Sequence, residues 1–114
     1  MVAFLSFMPI TDELAEKILT RRAFQYDDIS LSDMCDISSA RYLYITRVVV
    51  HEDYRRHGIA TEFIRDVIRC ANKSRSVKSI LFSAVSDEGE ELARDCNFST
   101  AFSTSYFTVK EYRI

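Results

Sequence analysis

The order of elements readable in the 114 residues predicts an α/β (α+β) sandwich, a sheet covered by helices with at least one right-handed parallel crossover. Three observations carry this. From Arg41 onward, segments rich in β-branched and aromatic residues alternate with segments of helical period, in the order strand, helix, strand, helix, strand. The strongest helical pattern follows a buried strand across one glycine, Gly58, in a chain that holds only two. The closing "FSTAFSTSYFTVKEYRI" reads as two antiparallel strands.

Each element has its own signal. The opening "VAFLSFM" is an apolar run that Pro9 is expected to end. Thr11 or Asp12 then caps a helix whose inward face is Leu14, Ala15, Ile18 and Leu19, spaced for a period of about 3.6 residues. "QYDDISLSDMCDISSA" lacks a clean period and carries four aspartates, so it reads as loop with at most one helical turn. Residues 41–50 read as a central strand, well buried toward its end. After Gly58, the residues Ile59, Ala60, Phe63, Ile64, Val67, Ile68 and Ala71 share one helical face, with Glu62, Arg65, Asp66 and Arg69 opposite. "ILFSAVS" is a second buried strand. "DEGEELARDCN" is a short helix that Asp87 and Glu90 open as a capping box and Asn97 stops in the left-handed conformation.

Composition narrows the function classes. One domain, residues 1–114, is the expected organisation, since no repeat, low-complexity block or Pro/Gly/Ser-rich linker divides the chain. Fifteen basic against seventeen acidic residues leave no excess charge to attract nucleic acid or an anionic membrane surface. The apolar runs fall short of the roughly 20 residues needed to span a bilayer, and the N-terminus makes a poor secretory signal, so a soluble protein is expected. Cys35, Cys70 and Cys96 are odd in number and far apart, which suits reduced cytoplasmic thiols better than disulfides or a metal site.

Gly58 lies where a buried strand hands over to the N-terminus of the best helix. Unpaired backbone N–H groups there, with the helix dipole behind them, suit an anion such as a phosphate. A glycine lets the backbone approach that anion closely, and Arg55, Arg56 and His57 add charge-assisted donors at the rim. The plainer reading is a solvated turn beside a valine core.

The stretch "VHEDYRRHGIATEFIRDVI" resembles the acyl-CoA-binding motif of the GNAT superfamily of N-acetyltransferases, in which a strand ends and R/Q-x-x-G-x-G/A opens the next helix. Arg55, Arg56, His57, Gly58, Ile59 and Ala60 fill that motif at every required position. The resemblance continues through "ILFSAVS" to "ARDCNF", which is similar to the closing Y-x-x-x-G-F segment, and fades before Arg41. It implies a mixed, mostly antiparallel sheet with a parallel strand-helix-strand crossover at the cofactor site. It implies acetyl-CoA (coenzyme A) as co-substrate, no metal, and an amine acceptor. The backbone of Val48, Val49 and Val50 would then hold the pantetheine arm, where the family's fourth strand splays from its fifth. The pyrophosphate would sit on the N–H groups of residues 56–60, with Thr61 nearby.

The chain departs from the family at two catalytic positions. Where some members carry a glutamate on the fourth strand it has Tyr44, and where they carry a tyrosine in the last helix it has Ala93. Tyr44 acting through a water, Thr46, His51, or Tyr106 reaching the thioester sulfur are the candidate substitutes, each with strand packing or surface exposure as its alternative. Cys96 as an acyl carrier is not expected. Residues 1–40 form a shortened acceptor-side segment before the acyl-CoA-binding core of residues 41–114. Asp27, Asp28, Asp33 and Asp36 would suit a cationic amine there, or form a solvated loop. Sheet surface left uncovered by this short half suggests a homodimer. Two functions follow: an N-acetyltransferase acting on a small molecule or protein amine, or a non-catalytic acyl-CoA-binding sensor or interaction module.

Overall fold

A computed structural model of the chain describes residues 3–19, 39–51, 58–103 and 107–114. Five strands form one sheet in the order β1-β2-β3-β5-β4. They are β1 (Ala3–Ile10), β2 (Tyr42–Val50), β3 (Ser79–Ala84), β4 (Ser99–Ser103) and β5 (Thr108–Arg113). The helices are α1 (Asp12–Leu19), α2 (Ile59–Lys73) and α3 (Asp87–Asp95). Among the described residues only β2 and β3 run parallel, joined through α2, and the other three pairings are antiparallel. This is the mixed, mostly antiparallel sheet with one strand-helix-strand crossover that the sequence predicts.

The two faces of the sheet carry separate cores. On one, Leu14, Ala15 and Ile18 of α1 pack against Ile10, Tyr44, Leu81 and Val109. On the other, Ile64, Val67 and Ala71 of α2 and Ala93 of α3 cover Leu43, Ile45, Ile80, Phe82 and Ala84. The strand residues sort between faces with a period of two, as a pleated strand requires. Phe98 joins the second core edge-on to Phe82, with ring centroids 5.8 Å apart.

Several local expectations hold. Thr11 caps α1, its Oγ1 accepting from the Leu14 amide at 3.2 Å. Asn97 takes φ +65° and ends α3, and β4 and β5 are the two antiparallel closing strands.

Three expectations are corrected. Pro9 does not end the opening run, because β1 continues through it to Ile10. β1 is an edge strand, where a missing N–H on the open side costs no ladder bond. Ser86, not Asp87, caps α3: its Oγ accepts from the Gly89 amide at 3.1 Å, while Glu90 turns away to other partners. Finally, β2 is buried at its beginning and not toward its end; Leu43, Tyr44 and Ile45 are buried, whereas Val49 is 40% exposed. The reason lies in how β2 meets β3.

Candidate functional site

The β2–β3 ladder runs through Tyr42↔Ser79, Leu43↔Ile80, Tyr44↔Leu81 and Ile45↔Phe82, and there it stops. β2 goes on to Val50, pairing through Leu5↔Val48, Phe4↔Val49 and Ala3↔Val50 with β1 alone. β3 goes on to Ala84, pairing Ser83↔Val109 and Ala84↔Thr108 with β5 alone. The two parallel strands therefore part after four rungs and leave a wedge between them. A bulge accompanies the parting: Phe7 faces Ile45 and Ser6 faces Arg47, so Thr46 is the extra residue. Its hydroxyl meets the Ser6 hydroxyl at 2.7 Å and donates to the Ser6 carbonyl at 3.1 Å. Such a bulge bends its strand and increases the local twist.

Past the end of β2 the chain reaches α2. Gly58 is the N-cap residue of that helix, with φ +74° and no side-chain cap. The first-turn amides of a helix have no intrahelical partner, so Ile59, Ala60 and Thr61 present donors at the positive end of a 15-residue helix. The positive φ is itself a reason for glycine here, beyond the close approach the sequence suggested. Among the described residues, a Cβ built on Gly58 would meet nothing within 4 Å. An extended main chain along one wall of a wedge, followed by an uncapped helix N-terminus, fits a long flexible ligand that ends in phosphates.

The candidate residues fall out as follows. Val48, Val49 and Val50 stand on the wedge wall, and Gly58, Ile59, Ala60 and Thr61 at the helix start. Arg55, Arg56, His57 and Tyr106 lie outside the described residues, as do Asp27, Asp28, Asp33, Asp36 and Cys35. His51 is exposed just beyond β2. Tyr44 is only 6% exposed, on the α1 face, and its hydroxyl lies 3.0 Å from Ser83 Oγ. Burial pushes its phenol above the usual value, with the Ser83 hydrogen bond pulling the other way, so it stays protonated at neutral pH. Cys96 is buried, and burial raises its thiol, which suits packing and not nucleophilic attack.

Ala93 is 1% exposed within the core of α2 and α3. Its position holds neither a hydroxyl nor the room for a tyrosine ring.

Two groupings escape the sequence reading. The first is the Tyr44–Ser83 contact. The second is a clamp at the far side of β3, where Lys110, 7% exposed, donates to Glu90 Oε2 at 2.5 Å and to Thr100 Oγ1 at 2.7 Å. Thr108 donates to the other Glu90 oxygen. The Lys110 bond first, and then the Thr108 bond, hold the Glu90 carboxyl below its ordinary value. The period of two in "TVKEYR" is the signal for it, since it places Thr108, Lys110 and Tyr112 on one face.

Two shallow hollows lie beside the sheet. One of about 300 Å³ involves Thr11, Glu13 and Arg41; the other, about 410 Å³, lies between β1 and α2 against Phe7, Phe63 and Cys70. Neither includes the wedge. Among the described residues no group of three or more His, Cys, Asp or Glu side chains converges as metal ligands, and no helix is long and apolar enough to cross a membrane.

The family model described as "Acetyltransferase (GNAT) family" matches residues 2–98, so the resemblance reaches well before Arg41, further than the sequence motifs suggested. No curated protein sequence matches significantly. Among solved structures, the chain superposes on Arabidopsis thaliana NAA60 in complex with acetyl-CoA with a TM-score of 0.69 at 17% identity, covering 100% of this chain and 66% of that one. A GNAT-family acetyltransferase from Listeria monocytogenes gives 0.63 at 11% identity, covering 100% and 58%. A domain from Methanocaldococcus jannaschii gives 0.55 at 9% identity, covering 98% and 99%. These are likenesses of fold, and the chain spans less than two thirds of the first two.

Proposed function

The chain belongs to the GNAT acetyltransferase family, and from that premise we propose that it transfers an acetyl group from acetyl-CoA directly to a primary amine of a small molecule or protein. The observation that carries the proposal is the early end of the β2–β3 ladder, set beside an uncapped helix N-terminus led by a positive-φ glycine. The NAA60 complex, a protein of the same fold, supports the choice of ligand.

In this reading the main chain of Val48, Val49 and Val50 holds the pantetheine arm. The amides of Ile59, Ala60 and Thr61 receive the pyrophosphate, with Arg55, Arg56 and His57 adding charge from the rim. The lack of any described atom within 4 Å of a Cβ at Gly58 fits that role. When bound, the thioester supplies an activated acyl carbon and a fair leaving group, its thiol pKa being near the ~8.5 of cysteine. The residues of the wedge then act mainly by positioning. Effective molarity alone is worth up to ~7–11 kcal/mol when both reactants are held well, so the lack of the family's glutamate and tyrosine does not preclude turnover. Tyr44, at the base of the wedge, is the protonated hydroxyl available to the reacting groups. Residues 1–40 supply the acceptor side; of these, Leu14, Ala15 and Ile18 of α1 pack on the face where Tyr44 lies. A second copy covering the edge of β1 completes this picture.

One observation favours a second reading, a non-catalytic acyl-CoA-binding module: Ala93 is sealed in the core where the family's acid stands. Calorimetric titration with coenzyme A, followed by thiol release from acetyl-CoA with a panel of primary amines, separates the two. The enzyme reading expects micromolar binding and amine-dependent thiol. Binding without thiol release selects the module, and no binding at millimolar concentration contradicts both.

A further inference from the structure

The two edges of the sheet are finished differently. β4 is five residues long, is broken by a register shift between Thr100 and Phe102, and exposes Ser99, Thr100 and Ser103. Short, polar, bulged strands are how a protein keeps an edge from pairing with another chain. β1 has eight residues, none of them charged and only Ser6 polar, and its Phe7 is 37% exposed. Among the described residues nothing pairs with its outer side.

The main chain of β1 shows which groups face outward. The Ser6 carbonyl accepts from the Thr46 hydroxyl and so points toward β2. Direction alternates along a strand, so Leu5 and Phe7 turn their N–H and C=O groups to the open side. Pro9 turns the same way and has no N–H to give. We infer that β1 is the contact by which two copies of this chain join, pairing antiparallel about Ser6 so that their sheets become one. In that register Leu5 and Phe7 of one copy exchange both main-chain hydrogen bonds with Phe7 and Leu5 of the other. Pro9 falls opposite Ala3, at the end of the new ladder, where its carbonyl alone is used.

Two features select a second copy as the occupant. A two-fold contact brings a strand against itself, where any charge would meet its own like; β1 has none to repel. The contact is also self-complementary in shape. Leu5 and Phe7 line the hollow of about 410 Å³ between β1 and α2, together with Phe63, Val67 and Cys70. Directly opposed residues of paired strands lie on one face, so each copy's Phe7 ring covers the other's Leu5 at the rim of the other's hollow. A strand pair alone falls short of the ~1,200 Å² of a stable interface, so the contact depends on Phe7. Each open edge is used once, and assembly stops at two. The contact gives the second copy of the proposed function its surface and register, and it stands independently of acetyl transfer.

Sedimentation velocity of the whole chain over a dilution series is expected to show a species with the mass of two chains, dissociating on dilution and forming nothing larger. Phe7→Lys puts a cation on each side of the contact at an exposed position, and is expected to raise the dimer dissociation constant at least ~10-fold with an unchanged circular dichroism spectrum. Ser6→Cys decides the register, and decides the inference should the lysine variant not fold. The two copies of residue 6 face each other at a non-hydrogen-bonded pair, about 4.5 Å between Cα atoms, so mild oxidation is expected to link them by a disulfide located by peptide mass. A monomer at every concentration, open-ended oligomers, a dimer unmoved by folded Phe7→Lys, or a Ser6→Cys dimer that stays unlinked overturns the inference. Coenzyme A titration of the wild-type chain keeps the two questions apart. A monomer that binds coenzyme A overturns the inference and leaves the acetyltransferase reading; a dimer that does not bind it supports the inference and removes that reading.

Discussion

Strand β3 is held differently along its two edges. Toward β5 all six of its residues pair, from Ser79↔Arg113 to Ala84↔Thr108. Toward β2 only four do, although β2 itself is nine residues long. The closed edge is also reinforced from above. Glu90 of α3 is clamped by Lys110 and Thr108, and Phe98 packs between Phe82 and Tyr112. On the open edge the β-branched residues 48–50 pair with β1 on one side, and among the described residues no strand pairs with their other side. If the open edge admits coenzyme A as proposed, stability and ligand access are divided between the two sides of a single strand, and substitutions on each side should report on different properties.

The largest expected effect is at the open edge. Gly58→Glu places bulk and negative charge before the α2 N-terminus, so coenzyme A affinity should fall at least ~100-fold, about 2.7 kcal/mol, in calorimetric titration. The melting temperature should move little, because among the described residues nothing lies within 4 Å of the new Cβ and only the strain of a positive φ is added. Normal coenzyme A binding by this variant would put the phosphate site elsewhere.

On the closed edge, Ala93→Tyr should fail as a gain of function. Restoring the family's hydroxyl is the natural design from sequence, but the site is a packed core and the added ring costs ~1–3 kcal/mol through overpacking. The expected result is a clear drop in melting temperature with no rise in turnover; a faster enzyme of unchanged stability would mean that α3 stands off the sheet in solution.

Gly58→Ala sharpens the contrast. Its Cβ meets nothing within 4 Å among the described residues and it adds only the left-handed backbone cost of roughly 1 kcal/mol, so its loss of stability should be modest and its loss of coenzyme A affinity far below that of the glutamate variant. Equal affinity losses in the two variants would assign the effect to backbone strain instead of phosphate exclusion.

The smallest effect concerns acid. Glu90 has a folded-state pKa lowered from an ordinary value of 4.5, so its clamp contributes stability above that value and loses it as pH falls through the lower folded one. Glu90→Gln should therefore be somewhat less stable than wild type at pH 7, with the gap narrowing below pH ~4 as the wild-type carboxyl is protonated. A gap that stays constant through that range would show that the carboxylate charge contributes nothing.

The two edges also differ in how much of them could be read from the sequence. The crossover, the α2 face and the left-handed stop at Asn97 were legible because each follows from local period or residue chemistry. The glycine-led helix start was legible for the same reason. The direction of burial along β2 was misread, since "VVV" looks the same whether protein covers it or a wedge opens beside it; only the length of the neighbouring ladder decides. Ser83 was invisible because a serine in "ILFSAVS" gains its meaning from a register offset of two residues against Tyr44. Lys110 was passed over because a lysine in a strand is ordinarily solvated, and its burial depends on a glutamate twenty residues earlier. Ala93 reads in the sequence as a departure from the family, but the lack of space around it is a property of three-dimensional packing.

Amide hydrogen exchange with and without coenzyme A tests the central claim most directly. Protection should rise at Val48 and Val49 on the open edge and at Ile59, Ala60 and Thr61 at the helix start, while the β3–β5 amides stay as they were. Protection confined instead to the β1–α2 hollow around Phe7, Phe63 and Cys70, or no change at the wedge under saturating coenzyme A, would contradict the account.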